Sequence, residues 1–271
     1  MTTLCRLCVM PSFLTLCASA WACGGIVDVS QSGTATFEPD SAEPDSAEPE
    51  ALSVELHWPT ESPYGATYSE WLARYWQWHL SLPRQGHPRE GGDCRLGQWG
   101  DVWFLTTGHS GQVEWRECAI PQGVSVYFVL HSLLLMPRPD CGSSCLASEE
   151  SPAAWYDALA DNLEQAAARI AGSSLLLELE GAQRDIGDDY FWQTNEPFFS
   201  DTVADDPYFP CAGPISRGVC GWAAEEPRPF AALAYAVMLR PLPRGEHLIR
   251  FGASNEQRDW STDVNYLLTV E

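Results

Sequence analysis

Seven short apolar segments, separated by Gly and Pro, constrain the fold of this chain more than any other feature. They are rich in β-branched and aromatic residues, which favour strands, and the last one alternates apolar and polar positions from Val264 to Val270. The segments are DVWFLTT (101–107), QVEWREC (112–118), GVSVYFVLHSLLL (123–135), SLLLELE (174–180), FAALAYAVMLR (230–240), HLIRFG (247–252) and DVNYLLTV (263–270). This pattern predicts a mainly β protein, a β-sandwich of the jelly-roll or immunoglobulin-like kind.

The segment YSEWLARYWQWHLSLP (68–83) predicts an amphipathic helix. At 100° per residue, one arc collects Trp71, Leu72, Tyr75, Trp76, Trp78, Leu80 and Leu82. Thr67 and Glu70 have the spacing of a capping box, and Pro83 ends the helix. We therefore expect the aromatic side chains to be core residues, and not a surface for a sugar or a partner. His79 falls within the same arc and is interpreted as a hydrogen-bonded core histidine.

A second helix is predicted after residue 150. Ser151 is its expected N-cap, Pro152 takes the first helical position, and Gly172 follows its end. One apolar stripe contains Trp155, Leu159, Leu163, Ala166 and Ile170. The two helices are expected to pack on the sandwich or to cap it.

The N-terminus has the features of a signal peptide over residues 1–22. An apolar run (7–20) follows Arg6 and is too short to span a bilayer. It ends in Ala20-Trp21-Ala22, which resembles an A-x-A cleavage site, and the next residue is Cys23. The same bond is where a lipoprotein leader is cut, so we predict that Cys23 carries a lipid anchor. The alternative is plain secretion, because Ala20 and Trp21 fit a lipobox poorly.

The cysteine count favours lipidation. Of ten Cys, Cys5, Cys8 and Cys17 leave with the signal, and an acylated Cys23 leaves an even number. The six that remain are Cys94, Cys118, Cys141, Cys145, Cys211 and Cys220. They are close in sequence as three consecutive pairs, and they allow fifteen different pairings. An exported protein favours disulfides over zinc, so all six are predicted to form disulfides.

Residues 23–55 are predicted to be an acidic, Pro-rich tether that contains the repeat EPDSAEPDSAEPE. Such a segment lacks apolar side chains to bury and is expected to be disordered. Residues 56–271 are then one globular domain, long enough for a sizeable core. The formal net charge of -22 argues against binding to nucleic acid.

The segment 185–211 is the main candidate for function, because it combines acids and aromatic residues without a clear helix or strand period. The candidate ligand-binding aromatics are Tyr190, Trp192, Phe198 and Tyr208. The candidate ligands for a structural Ca²⁺ are Asp188, Asp189, Asp201, Asp205 and Asp206. The other interpretations are a loop that covers one edge of the sandwich, and a hydrolase that uses carboxylates of residues 185–206.

Other candidates for catalysis are weaker. The segment GHSGQ (108–112) lacks the final Gly of a nucleophile elbow and is predicted to be a hairpin turn between two strands, so Ser110 is not expected to be a nucleophile. His131 and His247 fall in or beside predicted strands and are interpreted as structural. No catalytic residue is assigned.

The order of motifs resembles a family of exported, lipoprotein-type bacterial proteins that has no settled activity. The motifs are YSEWLARYWQWHLSLP (68–83), HP (87–88), Cys94, GQWGDVWFL (97–105), REC with AIPQG (116–123), GEHLIRFG (245–252) and DVNYLLTV (263–270). The resemblance covers roughly residues 60–135 and the last 30. It implies an exported sandwich-like protein and a disulfide between Cys94 and Cys118.

Together these features predict a cell-envelope lipoprotein at the outer membrane or cell surface. Its β-sandwich domain is expected to have a non-catalytic binding or structural role, with a glycan or another protein as partner. The alternative is a secreted hydrolase that acts on polysaccharide.

Overall fold

The computed structural model describes residues 54–136, 152–199 and 229–271. All seven predicted strands are present, and the prediction of a mainly β sandwich with packing helices is confirmed. The strands are β1 (Val102–Leu105), β2 (Val113–Ile120), β3 (Ser125–Leu135), β4 (Ser174–Leu179), β5 (Ala182–Gln183), β6 (Phe191–Gln193), β7 (Phe198–Phe199), β8 (Pro229–Leu239), β9 (Gly245–Asn255) and β10 (Trp260–Val270). The helices are α1 (Tyr68–Ser81), α2 (Pro152–Asp157) and α3 (Leu159–Ile170).

The described strands form two five-stranded sheets. The first has the order β1-β3-β8-β6, with β7 also paired to β8, and the second has the order β2-β10-β9-β4-β5. The pairs β1 with β3 and β2 with β10 are parallel. Because β1 and β2 belong to different sheets, the prediction of a hairpin turn at GHSGQ (108–112) was wrong. The segment instead crosses from one sheet to the other, and Val113 then aligns with Asp263 of β10.

The main core lies between the two sheets. The predicted alternation in β10 is confirmed, since Val264, Tyr266, Leu268 and Val270 are all buried there. Aromatic rings meet across the interface, with the Phe128 ring stacked on Phe251 at a centroid distance of 4.2 Å. At its edge, a disulfide joins Cys94 to Cys118 of β2, with the Cα atoms 5.9 Å apart. This pairing is the one that the family resemblance implied.

Helix α1 packs on the outer face of the first sheet. The predicted capping box is present, because the Thr67 hydroxyl accepts from the Glu70 N–H and the Glu70 carboxylate accepts from the Thr67 N–H. All seven side chains of the predicted apolar arc are buried, and so is His79. They pack on small residues of β8, namely Ala232, Ala234 and Ala236. The first sheet is therefore covered on both faces.

The predicted second helix is divided in two. The division falls at Ala158, between α2 and α3, and nothing in the local sequence explains it. The apolar stripe is nevertheless kept, because Trp155, Ala166 and Ile170 are buried in one cluster with Leu233 of β8. Of the described helices, none has the length and hydropathy of a bilayer-spanning segment.

Several predictions concern residues outside those the structure describes. These are the signal peptide (1–22), Cys23, most of the tether (23–55), the N-cap Ser151, Cys141, Cys145, Cys211, Cys220, Asp201, Asp205, Asp206 and Tyr208.

Candidate functional site

A cavity of about 560 Å³ lies along strand β2, beside the disulfide. We call it the Trp115 cavity, and its lining comes from the loop after α1 and from three strands of the second sheet: Pro88, Gly91, Gly92, Cys94, Trp115, Arg116, Glu117, Leu248, Tyr266 and Leu267. Pockets of this volume commonly hold small ligands, with mostly apolar walls and a few polar groups. The cavity has both kinds of lining.

Trp115 is the unusual residue of this cavity. Strand β2 alternates, so that Cys118 and Ile120 point into the core while Trp115 and Glu117 point outwards. Trp115 is 69% exposed, so most of its indole is open to solvent at the cavity wall. An exposed indole beside a carboxylate gives the cavity one flat apolar wall and one hydrogen-bond acceptor.

Behind the cavity, the guanidinium group of Arg116 is held in one position. Its Nη1 donates to the carbonyl oxygen and hydroxyl of Thr106, at 3.2 and 2.6 Å, and to the Tyr266 hydroxyl at 3.0 Å. Its Nη2 donates to the Arg89 carbonyl oxygen at 2.8 Å and to the Glu114 carboxylate at 2.5 Å. Only 7% of the side chain is exposed. These bonds tie strands β2 and β10 to the loop after α1.

Glu114 balances the charge of Arg116. Its other carboxylate oxygen accepts from the His109 backbone N–H and lies 2.8 Å from the His109 ring Nδ1. Burial acts to raise the pKa of Glu114, but the His109 N–H and the Arg116 guanidinium outweigh it and lower that pKa. Glu114 is therefore ionised at neutral pH, and the ion pair leaves the back of the cavity close to neutral.

A second polar cluster lies on the same face of the second sheet. Arg250 of β9 makes two hydrogen bonds to Asp263, at 2.9 and 2.6 Å, and two to the carboxylate of Glu178, at 3.3 and 3.4 Å. Arg250 aligns with Asn265 of β10, and Asn265 aligns with Trp115 of β2. Arg250 therefore lies two strands from the indole, on the same face of the sheet. The outward face thus combines an exposed aromatic ring with charged groups that already have partners.

The predicted ligand-binding aromatics occupy a different place, at the edge of the first sheet. Tyr190 is only 8% exposed, the Trp192 ring stacks on Tyr68 at 4.6 Å, and Phe198 packs on Phe230. Although its sequence has no clear helix or strand period, the described part of the segment 185–211 contains a 3-10 turn and the short strands β6 and β7. Both strands pair with β8, so the hydrogen-bond partners of these short segments come from a strand that is distant in sequence.

The predicted calcium ligands are only partly within the described residues. Asp188 accepts a hydrogen bond from the Tyr235 hydroxyl at 2.9 Å. In residues 54–136, 152–199 and 229–271 there is no group of three or more His, Cys, Asp or Glu arranged to hold a metal ion. A Ca²⁺ site that includes Asp189 and the later aspartates stays a prediction.

Comparisons with known proteins give no family for this chain. No family model matches it, and no curated protein matches it. A solved structure described as "Structure of PbICP-C in complex with falcipain-2" is similar over 64% of this chain and all of that chain, with 9% identity and a TM-score of 0.25. A likeness at that level carries no argument about fold or function.

Proposed function

We propose that this chain is a cell-envelope lipoprotein whose β-sandwich domain binds a saccharide, without catalysis, in the Trp115 cavity. The observation that carries this proposal is the indole of Trp115, 69% exposed on the wall of a cavity of about 560 Å³. What distinguishes Trp115 from the other exposed indoles, Trp58 and Trp99, is that it lines a cavity in which a ligand could cover its ring.

The chemistry of the cavity favours a saccharide. The apolar C–H face of a sugar ring stacks on an indole, and its hydroxyl groups need acceptors and donors at the rim. Glu117 supplies a carboxylate acceptor there, and Gly91 and Gly92 bring exposed backbone close to the ligand. Because the chain carries a net charge of -22, a neutral sugar fits better than an anionic one.

The anchoring part of the proposal depends on Cys23 and on the residues before the domain. A lipid on Cys23 and an acidic tether would hold the domain away from the membrane surface, at the outer membrane or cell surface. The disulfide between Cys94 and Cys118 supports an oxidising compartment. Secretion without a lipid is the alternative.

The test is Trp115→Ala, measured by isothermal titration of the purified chain with neutral oligosaccharides and peptidoglycan fragments. We expect the affinity for the best ligand to fall by roughly tenfold or more, which corresponds to about 1.4 kcal/mol. Trp99→Ala is the matched control, because Trp99 is 71% exposed but does not line the cavity. Equal losses in the two variants, or no binding by the unmodified chain, would refute the proposal.

A further inference from the structure

A continuous chain of hydrogen bonds joins a serine, a histidine and a carboxylate near the first residue of β3, in the first sheet. The Ser125 Oγ lies 3.2 Å from His57 Nε2, and His57 Nδ1 lies 2.6 Å from the Glu61 carboxylate. The Tyr64 hydroxyl lies 3.0 Å from the same Ser125 Oγ. Ser125 is the first residue of β3, and the other three belong to one segment (57–64) that precedes α1.

The segment that holds His57 is fixed to the sheet. The His57 backbone N–H donates to the Met238 carbonyl oxygen at 2.8 Å, and the Tyr68 hydroxyl donates to the His57 carbonyl oxygen at 3.0 Å. Arg240 donates to the second oxygen of Glu61 at 2.6 Å. These hydrogen bonds fix the backbone of His57 and the carboxylate of Glu61, and so they position the imidazole between the serine and the carboxylate.

For an imidazole with a single ring proton, the hydrogen bonds allow one consistent placement of the protons. The hydrogen bond from His57, supported by Arg240 and opposed by burial, lowers the pKa of Glu61, so Glu61 is an acceptor. His57 Nδ1 then carries the proton that it donates to Glu61, and Nε2 is an acceptor. The Ser125 hydroxyl donates to Nε2, and the Tyr64 hydroxyl donates to Ser125. This is the arrangement in which an imidazole activates a serine nucleophile.

Tyr64 covers the serine. Ser125 is fully buried, whereas Tyr64 is 45% exposed and lies directly over its hydroxyl. Tyr64 has φ 54° and ψ 30°, a left-handed conformation that is uncommon for a residue with a large side chain. It is the middle residue of a three-residue turn, and its hydroxyl is the group of that turn that contacts Ser125.

We propose that Ser125 and His57 are the nucleophile and the base of an acyl-transfer site that hydrolyses carboxylic esters, with Glu61 as the positioning residue and Tyr64 as the cover. The Ser125 Oγ forms a bond to the ester carbonyl carbon while its proton passes to His57 Nε2. The ester C–O bond then breaks, and the leaving alkoxide takes that proton to become the alcohol. Water adds to the acyl-serine, gives a proton to Nε2, and the acid leaves as the Ser125 hydroxyl is restored.

This site is separate from the GHSGQ segment and from the Trp115 cavity. The ring nitrogens of His109 lie 2.8 Å from Glu114 and 3.5 Å from Glu90, and none of the described bonds of His109 involves Ser110. Because Trp115 belongs to the other sheet, Trp115→Ala should leave the acyl-transfer chemistry unchanged, and Ser125→Ala should leave saccharide binding unchanged. The two proposals can therefore fail independently.

The experiment is covalent labelling of the full chain with an alkyl fluorophosphonate, which phosphonylates an activated serine and releases fluoride. Tandem mass spectrometry locates the adduct. We expect labelling of Ser125, at least tenfold faster in Tyr64→Gly, because glycine accepts φ 54° and removes the cover. Adding His57→Gln to that variant should slow labelling at least a hundredfold, while adding Ser110→Ala should not.

The alternative is that the four residues only fasten the segment 57–64 to the sheet. In that case Ser125 would stay unlabelled in both the unmodified chain and Tyr64→Gly, with a cooperative thermal transition showing that each is folded. That result would overturn the proposal, and so would labelling of Ser125 that does not depend on His57.

Discussion

At the scale of single residues, the guanidinium of Arg116 is the most connected polar group described. It donates to acceptors on β2, on the segment after β1, on the loop after α1 and on β10. The sequence predicted only that residue 116 belongs to a strand. It could not show that this side chain is buried, because its acceptors, Thr106 and Tyr266, are far apart in sequence and meet only when β2 pairs with β10.

We expect Arg116→Met to lower the free energy of unfolding by about 3–5 kcal/mol, because it leaves the Glu114 carboxylate partly buried without its cationic partner. Urea denaturation measures this loss. Arg95→Met is the matched control, since Arg95 pairs with Asp93 at the surface, with side chains 64% and 56% exposed. Surface pairs contribute little, so its midpoint should be close to that of the unmodified chain. Similar midpoints for the two variants would contradict this account.

At the scale of elements, α1 and β8 form the contact that covers the first sheet. The limits of α1 were predictable because Thr67, Glu70 and Pro83 are local signals of a helix start and stop. The pairing of β6 and β7 with β8 was not predictable, because two or three residues show no period of their own. The exposed Trp115 was missed for another reason. Strand β2 has apolar residues on both of its faces, and only the pairing of the strand decides which face is turned to the core.

We expect Ala234→Leu to destabilise the domain by about 1–3 kcal/mol, because the side chain at 234 is fully buried against the aromatic face of α1. Thermal unfolding followed by circular dichroism measures the change. Ala168→Leu is the control, because Ala168 lies on the exposed face of α3 and leucine is a good helix former. If the two variants melted at the same temperature, the packing of α1 on β8 would not be as tight as described.

At the scale of the whole molecule, three buried histidines make the fold sensitive to acid. Burial lowers the pKa of His131 and of His87 to about 4 in each case, and it lowers the pKa of His79 further below its usual range. Below pH 6.5 the unfolded chain binds protons that these buried rings cannot take up. Stability contributed by their neutral forms is therefore present above pH 6.5 and is lost as the pH falls towards 4.

His131→Phe tests one of these three groups. The phenyl ring keeps the stack on Trp260, whose centroid lies 4.3 Å from that of the imidazole, and it cannot titrate. Between pH 6.5 and 4.5, we expect its unfolding free energy to fall less steeply than that of the unmodified chain, by up to about 1.4 kcal/mol per pH unit. Urea denaturation at several pH values gives the two slopes. Parallel slopes would show that His131 is not kept neutral in the folded state.

The parallel pairing of β2 with β10 also determines when the domain can form. Val113 aligns with Asp263, and Ile120 aligns with Val270, so each pair joins positions 150 residues apart. Loops of that length must close before the second sheet is complete, and such non-local pairing slows folding. A ribosome that has made only residues 1–259 therefore carries an open domain. Until β10 is made, β2 has no partner among the described strands, and the main core lacks the four buried side chains Val264, Tyr266, Leu268 and Val270.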